Sequence, residues 1–179
     1  MSQALSGTQP IPAVITNARV YREGADLIGA GSVELPQLEM MSETLSGFAI
    51  AGEVDMPVTG HFGGMELTIK WNAPCPEALA LLENRAHHLD IRASLQGYDS
   101  STGMMKDIPI KVVARGLPKS VSLGTFEPAK KAEAESKLSL TYVKVWIGGV
   151  ERVEIDKLNF ICAVDGNDLL AAVRANLGI

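Results

Sequence analysis

A β-hairpin is predicted at Leu138-Ser-Leu-Thr-Tyr-Val-Lys-Val-Trp-Ile147, Gly148-Gly149 and Val150-Glu-Arg-Val-Glu-Ile155. Apolar and polar residues alternate along both segments, which is typical of strands that lay one face on a core. The glycine pair favours a primed turn, because both central residues of a type I′ turn need positive φ. This hairpin predicts a β-rich fold, and the sequence on either side of it extends the same pattern.

A second long hairpin is predicted upstream. Apolar residues occupy alternate positions from Leu89 to Leu95 and again from Ile108 to Ala114, with Asp99-Ser-Ser-Thr-Gly103 as the turn between them. Residues 117–135, which contain Pro118, Gly124 and Pro128, are expected to form a connector. Further strands are predicted at residues 13–21, about 27–34, about 37–45, 64–71 and about 157–164.

Two short helices complete the predicted elements. The first begins at Pro76, with an apolar face of Ala78, Leu81, Leu82 and Ala86. The second is capped by Asn167 or Asp168 and ends at Gly178, with Leu169, Leu170, Val173 and Leu177 on its apolar face. Because no repeat or linker interrupts the chain, we expect a single, mainly β domain over residues 1–179.

Residues 46–62 have an unusual composition for a connection. They contain three glycines, Pro57 and at least five apolar side chains. We expect an extended loop here. A loop this long and this apolar is uncommon without a function, so it is expected to lie on a partner.

Composition limits the class of protein. The chain has 179 residues, of which 46% are hydrophobic, 5% aromatic and 21% charged. These values exclude a disordered chain, a collagen-like chain and a small disulfide scaffold. The apolar share also favours self-association, because one copy would leave apolar surface uncovered.

Charge is unevenly distributed along the chain. The formal net charge is −5, which argues against a protein that wraps nucleic acid. Residues 1–66 contain two basic residues, Arg19 and Arg22, against eight acidic ones. Two interpretations stay open: a solvated acidic face, or an acidic surface that meets a neutral or basic surface on a neighbouring copy.

Targeting and redox signals are few. Cys75 and Cys162 are isolated, which predicts two reduced thiols rather than a disulfide or a ligand set. The first residues lack a basic region followed by an apolar one, so no signal peptide is predicted. No segment approaches the ~20 apolar residues of a membrane span. We therefore expect synthesis in the cytoplasm and no membrane insertion by this chain.

Catalytic and metal chemistry find little support. The histidines are His61, His87 and His88, and a metal site would need Cys75, His61 and a carboxylate to converge. No nucleophile elbow, zinc-protease motif or P-loop is present. Acid pairs such as Glu154 and Asp156 are expected to be solvated. We predict no catalytic residue, no metal and no cofactor, so the chain is not expected to be an enzyme.

Aromatic residues on the predicted strands have a structural interpretation. Trp71, Trp146 and Tyr142 are expected to fill a core or an interface. They are not expected to stack on bases, because no basic patch is interleaved with them in the sequence.

Landmarks over almost the whole chain carry a resemblance. They are Gly47-Phe-Ala-Ile-Ala-Gly-Glu-Val-Asp-Met-Pro-Val-Thr-Gly-His-Phe62, Met65-Glu-Leu-Thr-Ile-Lys-Trp71, Leu89-Asp-Ile-Arg92, Gln96-Gly-Tyr-Asp-Ser-Ser-Thr-Gly103, Arg115-Gly-Leu-Pro-Lys119, Glu154-Ile-Asp-Lys-Leu-Asn-Phe160, Gly166-Asn-Asp168 and Val173-Arg-Ala-Asn-Leu-Gly178. In their order and spacing, from about Pro12 to Gly178, the chain resembles the major tail tube protein of contractile-tailed phages and phage-tail-like particles.

The resemblance implies a tail-tube-type β-sandwich or barrel in which strands of neighbouring subunits complete one barrel. It also implies hexameric rings that stack into a hollow tube, with the sheath, baseplate and tape-measure proteins as partners and assembly into the virion or tail-like particle. DNA would pass without specific binding, along a wall expected to be neutral or acidic. Three alternatives stay open: the tube of a DNA-free phage-tail-like bacteriocin, an injection-system or secretion tube ring carrying protein effectors, and a metal-dependent β-barrel enzyme.

Residues 46–62 are the predicted oligomer interface. We expect this segment to reach a neighbouring subunit, the alternative being that it folds back on its own domain. The predicted interface residues are Gly47, Phe48, Ile50, Gly52, Val54, Asp55, Met56, Pro57, Gly60 and Phe62.

Overall fold

A computed structural model describes residues 11–29, 31–48 and 50–178. Antiparallel strands dominate the structure and two short helices accompany them, which confirms the mainly β prediction. The elements in chain order are β1 (Ile11–Arg22), β2 (Asp26–Ile28), β3 (Ser32–Glu34), β4 (Met40–Ser46), β5 (Glu53–Phe62), β6 (Glu66–Trp71), α1 (Pro76–Ala80), β7 (His87–Asp99), β8 (Met104–Ser122), β9 (Ala134–Ile147), β10 (Val150–Asp156), β11 (Ile161–Val164), β12 (Asn167–Asp168) and α2 (Ala171–Leu177).

Most strands belong to one sheet. Its order is β12-β11-β10-β9-β8-β7-β1-β2. Strand β6 pairs with β9 on the same edge as β10, and β3 pairs with the other edge of β6. Strands β4 and β5 form a separate pair. The long central strands therefore make one continuous antiparallel surface, and the β4–β5 pair is an attachment to it.

Both predicted hairpins are confirmed. In the first, Leu89 pairs with Ala114 and Ile91 with Val112, so the alternating apolar side chains share one face. In the second, Gly148 and Gly149 have φ of 63° and 79°, the positive values that a primed turn needs.

One face of the sheet packs on the core. Leu67, Ile69 and Trp71 of β6 are buried against side chains from β7 and β8, and α1 adds Ala78 while Leu81 follows directly after it. The Trp71 indole N–H donates to the Ser136 hydroxyl over 3.0 Å, so the one polar atom of this ring is satisfied inside the core.

The predicted extended loop at residues 46–62 is wrong in its second half. Residues 53–62 form β5, which pairs antiparallel with β4 in the register Leu45–Val54 and Glu43–Met56. Among the described residues β5 pairs only with β4, and a strand with one neighbour can accommodate a proline such as Pro57. A register shift between Met40 and Ser42 accommodates the remaining irregularity.

Other boundaries differ from the prediction. Helix α1 ends at Ala80, so Leu82 and Ala86 lie outside it and are exposed. The predicted connector begins only after Ser122, because β8 runs through Pro118, where a register shift against β9 absorbs the proline. The single strand predicted at 27–34 is two short strands, β2 and β3.

The predicted start of the C-terminal helix is wrong, because α2 begins at Ala171 with Leu170 at its N-cap position and no side chain capping it, whereas the predicted stop at Gly178 is confirmed. An Asp168 carboxylate oxygen accepts the Leu170 N–H over 3.0 Å, and Arg174 of α2 pairs with the same carboxylate. This contact with Arg174 holds the pKa of Asp168 below its usual range. Gly178 ends the helix at a φ of 73°.

Candidate assembly interface

The β4–β5 hairpin has one apolar and one polar face. Cross-strand pairing places Leu45, Val54 and Met56 on the same face, and Glu43, which pairs with Met56, also lies on it. On the opposite face the Thr44 hydroxyl donates to the Asp55 carboxylate over 2.7 Å. Val54 and Met56 are 48% and 51% exposed, so this apolar face lies open to solvent.

The tip of the hairpin is also apolar and exposed. Phe48 is fully exposed and Ile50 is 36% exposed. Gly47 and Gly52 flank the tip at φ of 142° and 120°, values that a side chain would resist. The Ile50 N–H donates to the Gly47 carbonyl over 3.1 Å, which folds the tip back on itself.

The base of the hairpin is tied to its own chain. The Gly63 N–H donates to the Glu39 carbonyl over 2.9 Å, and the Lys157 ammonium donates to the Gly63 carbonyl. Burial lowers the pKa of Lys157. Phe62 is half-buried against the core, and Gly60 lies against the Leu170 side chain.

The ten predicted interface residues therefore occupy three environments. Gly60 and Phe62 lie at the base and contact their own chain, whereas Asp55 and Pro57 lie on the polar face of the hairpin. The tip and the apolar face hold the other six, Gly47, Phe48, Ile50, Gly52, Val54 and Met56. Their contact with a neighbouring copy remains a prediction.

The hairpin is strongly acidic. From Glu39 to Phe62 the sequence has four carboxylates and no Lys or Arg. The β4–β5 hairpin thus contributes to the acidic excess of residues 1–66. Both β4 and the first seven residues of β5 are exposed, so these charges lie at the surface.

A second open feature is an edge of the sheet. Strand β1 pairs with β7 along its whole length, but on its other side β2 pairs only with Val20–Arg22. Among the described residues, Ile11–Arg19 thus present an unpaired strand edge. Val14 and Ile15 on it are 55% and 52% exposed. A long apolar edge of this kind favours pairing with another chain.

The sheet face away from the core carries cations over aromatic rings, which the sequence analysis missed. Lys111 and Lys144 lie 5.4 and 5.3 Å from the centre of the Trp146 ring, and Arg115 lies 5.6 Å from that of Tyr142. The sequence shows no basic patch interleaved with these rings, but the fold brings basic side chains over two of them. Lys111 is 35 positions from Trp146 in sequence but is its direct cross-strand partner. Pairing the two predicted hairpins across β8 and β9 would have found this.

The prediction that acidic residues such as Glu154 and Asp156 are solvated is wrong for this face. Glu154 is half-buried, accepts the Tyr142 hydroxyl over 3.0 Å and pairs with Lys144, and Asp156 is buried at a turn where it accepts the Asn159 N–H over 3.1 Å. Burial, this hydrogen bond and the negative charge of Glu154 raise the pKa of Tyr142 to about 12. The hydrogen bond to Glu151 raises the pKa of Lys144.

A metal site needs several His, Cys, Asp or Glu side chains close together. Over residues 11–29, 31–48 and 50–178, no three of them lie close enough together to hold a metal ion. Burial raises the pKa of both Cys75 and Cys162 and so favours their thiol forms. In the same described part of the chain, neither helix has the length and hydrophobicity to span a bilayer.

Known proteins resemble the chain over most of its length. The tail tube protein of Escherichia phage P2 is 28% identical over 174 residues, covering 94% of this chain and 99% of the relative. Two cryo-EM structures of an extracellular contractile injection system also align, each with a TM-score of 0.49. They are the PVC sheath/tube terminator in its extended state (18% identity, 80% of this chain, 99% of the other) and the PVC sheath–tube complex in its extended state (17%, 82% and 98%). The family described as phage tail tube protein FII matches residues 12–178, and the chain belongs to that family.

Proposed function

We propose that this chain is the structural subunit of the inner tube of a contractile tail. In this proposal hexameric rings of the chain stack into a hollow conduit, through which DNA is delivered when the sheath contracts. Membership of a tail tube family supports the tube, and the relative in Escherichia phage P2 bears the same description. The proposed role is structural rather than enzymatic.

The open edge of β1 is the observation that carries the assembly. Ile11–Arg19 offer backbone donors and acceptors on one side, flanked by exposed apolar side chains. A monomer with such an edge is prone to pair with other chains. In a ring, a strand of the next copy would complete the ladder and remove this open edge.

The other end of the same sheet supplies a different edge. Strands β10, β11 and β12 shorten progressively, and β12 has only two residues. Joining this end to β1 of the neighbour is a heterologous contact, which closes into a ring when the rotation per subunit divides a full turn. We propose that the two ends of the sheet meet in this way.

The β4–β5 hairpin is the proposed second contact. Its apolar face and tip would lie on a neighbouring copy and bury Phe48, Ile50, Val54 and Met56. Removing this much apolar surface from water favours association by roughly 1.5–3 kcal/mol for each fully buried large side chain. The acidic charge of the hairpin would fix its orientation against a neutral or basic surface.

The remaining partners follow from the tube role. The sheath would surround the tube, a baseplate would nucleate it and a tape-measure protein would set its length. The subunit would be made in the host cytoplasm and assembled into the tail of the virion or tail-like particle.

Negative-stain electron microscopy of the purified chain at high concentration tests the proposal, with and without the baseplate initiator. Hollow tubes or rings support it, because only self-association at two surfaces can produce them. Particles that stay monomeric at every concentration even with the initiator present would overturn it.

An edge variant tests the observation that carries it. Ile15→Lys places a charge on the β1 edge, which should block pairing with a neighbour. Because Ile15 is about half exposed, the monomer fold should be unchanged. Phe126→Lys is the matched control, since Phe126 is also exposed but lies in the loop after β8. We expect tubes from the control and none from Ile15→Lys, with unchanged circular dichroism for both monomers. Normal tubes from Ile15→Lys would reject the edge contact.

A further inference from the structure

One end of the long sheet leaves apolar side chains open on the face that elsewhere covers the core. Strand alternation and cross-strand register place five of them side by side: Leu95 of β7, Ile108 and Ile110 of β8, Ile147 of β9 and Val150 of β10. We call these five residues the distal patch. They lie beside the two hairpin turns of the sheet, at residues 99–104 and 147–150.

The second layer of the core stops short of the distal patch. Strand β6 pairs with β9 over residues 134–139, well before Ile147. Of the five residues, Ile110 alone packs against the buried core among the described residues. Ile147 is 40% and Val150 is 53% exposed, and the other three are half-buried. The patch thus continues the core beyond the elements that cover it.

A lysine lies at the outer end of the distal patch. Lys106 precedes Ile108 by two positions on β8, so it lies on the same face, and it is exposed. Moving inward from the β7–β8 turn, the surface presents first this ammonium group and then two apolar rows. The first row is Leu95 with Ile108, and the second row is Ile110 with Ile147 and Val150.

The apolar face of the β4–β5 hairpin presents its side chains in the same order. Glu43 lies opposite Met56 in the row nearer the base, the Leu45–Val54 pair follows, and the apolar tip lies beyond. One charged group at one end and apolar groups over the rest therefore describe both surfaces. Their charges are opposite, which makes them complementary.

Both surfaces are open in the same folded chain. Val54 on the hairpin and Val150 on the distal patch are each about half exposed. The hairpin base is held by its own chain at Gly60 and Gly63, near α2 and Lys157. The hairpin of a copy therefore does not cover the distal patch of that copy, and a second copy is the occupant that fits.

We propose that the β4–β5 hairpin of a second copy packs on the distal patch as an added layer, with its Glu43 near Lys106. This contact rests on the proposed tube, in which the hairpin touches a neighbour. It goes beyond the tube by naming the surface that receives the hairpin and the direction in which the hairpin lies. Two sheets packed in this way lie about 10 Å apart, with their strands within about 30° of each other.

The order of the side chains fixes the direction of the hairpin. With Glu43 near Lys106, the Leu45–Val54 pair faces the first apolar row and the tip faces the second. Turned end for end, the hairpin would bring Glu43 against the second row, where its carboxylate would lose water without gaining a cation. Burying a carboxylate without a partner is strongly unfavourable, so the first direction is the stable one.

Cross-linking of mixed copies tests the contact. One copy carries Val54→Cys and the other carries Ile108→Cys, and a short bis-maleimide is used because sheets about 10 Å apart are too far for a disulfide. We expect cross-linked dimers from assembled tubes and none from the same mixture as monomers. Ser46→Cys replaces Val54→Cys in the matched control, since Ser46 lies on the polar face of the hairpin, and should give few dimers. The parent chain reports background from Cys75 and Cys162.

Charge reversal tests the direction. Glu43→Lys or Lys106→Glu alone brings two like charges together, so each should raise the concentration needed for tubes by about tenfold. Glu43→Lys with Lys106→Glu restores opposite charges, and its tubes should form near the parent's concentration. Lys131→Glu is the control, because it reverses an exposed lysine in the loop after β8 and should leave assembly unchanged.

The outcomes separate the new contact from the proposed function. Equal cross-linking through Val54→Cys and Ser46→Cys, or single reversals that assemble like the parent, would overturn the contact while leaving the tube intact. A double reversal that assembles no better than the single ones would overturn it as well. So would cross-linking within monomers that carry both Val54→Cys and Ile108→Cys, since the hairpin would then cover its own patch. If the cysteine variants do not assemble, charge rescue decides alone. Absence of tubes from the parent chain with its initiator would instead reject the proposed function.

Discussion

Gly60 fixes the hairpin base to the C-terminal region through a close contact. Its φ is 73°, and a Cβ there would clash with a methyl carbon of Leu170. Gly60→Ala should therefore lower the free energy of unfolding by about 2–3 kcal/mol, from backbone strain together with the clash. Urea denaturation of the monomer measures this loss.

Gly166→Ala separates the two causes. Gly166 has a φ of 79°, but a Cβ added there would meet no other atom within 4 Å. Only the strain remains at this position, so the loss should be about 1 kcal/mol. Adding Leu170→Ala to Gly60→Ala should cost less than the two single losses combined. Equal losses for Gly60→Ala and Gly166→Ala would show that the contact with Leu170 does not matter.

Tyr142 should make the fold sensitive to alkaline pH. Its pKa is raised to about 12 in the folded state, against an ordinary value near 10. The folded chain therefore holds this proton where the unfolded chain has lost it. The contribution is complete below pH 10 and falls between pH 10 and 12, by up to about 1 kcal/mol per pH unit.

Tyr142→Phe removes this titration and is the control. Urea denaturation at pH 9, 10 and 11 should show a steeper loss of stability for the parent than for the variant. The difference between their ultraviolet titrations should report one tyrosine that ionises near pH 12. A tyrosine ionising near pH 10 in that difference would contradict the buried hydrogen bond to Glu154.

At the scale of elements, the predictability of each strand depended on its neighbours. The hairpins of β7–β8 and β9–β10 were predictable because alternation and turn residues are local signals. Strand β5 was not, since Pro57 and Gly60 indicate a loop unless the strand lies at an edge. The same limit concealed the cation–aromatic contacts on the sheet face away from the core, which depend on register between distant strands. Composition and spacing did direct attention to the exposed segment, but not to which of its faces is apolar.

The β4–β5 hairpin should serve assembly rather than the stability of the monomer. Val54→Thr with Met56→Gln makes its apolar face polar, and both residues are about half exposed. The free energy of unfolding should change by less than about 0.5 kcal/mol. The concentration needed for tubes should rise by about tenfold or more, since each lost contact removes apolar burial.

Ser42→Thr with Ser46→Thr changes the polar face of the same hairpin and is the matched control. Tube formation, followed by light scattering and microscopy, should match the parent for this control. Assembly of the Val54 and Met56 variant at the parent's concentration would show that the hairpin's apolar face contacts no neighbour. A large loss of monomer stability would instead indicate that the hairpin packs on its own chain.

At the scale of the whole molecule, assembly should protect the backbone selectively. Strand β8 pairs on both sides around Val112 and Ala114, so its amides should exchange slowly with deuterium in monomer and tube alike. Amides on the open side of Ile11–Arg19 have no such partner among the described residues of the monomer. Hydrogen–deuterium exchange read by mass spectrometry should show slowed exchange there on tube formation, together with the hairpin tip. Slowed exchange confined to β8, or unchanged exchange along β1, would mean that the copies join without completing the sheet.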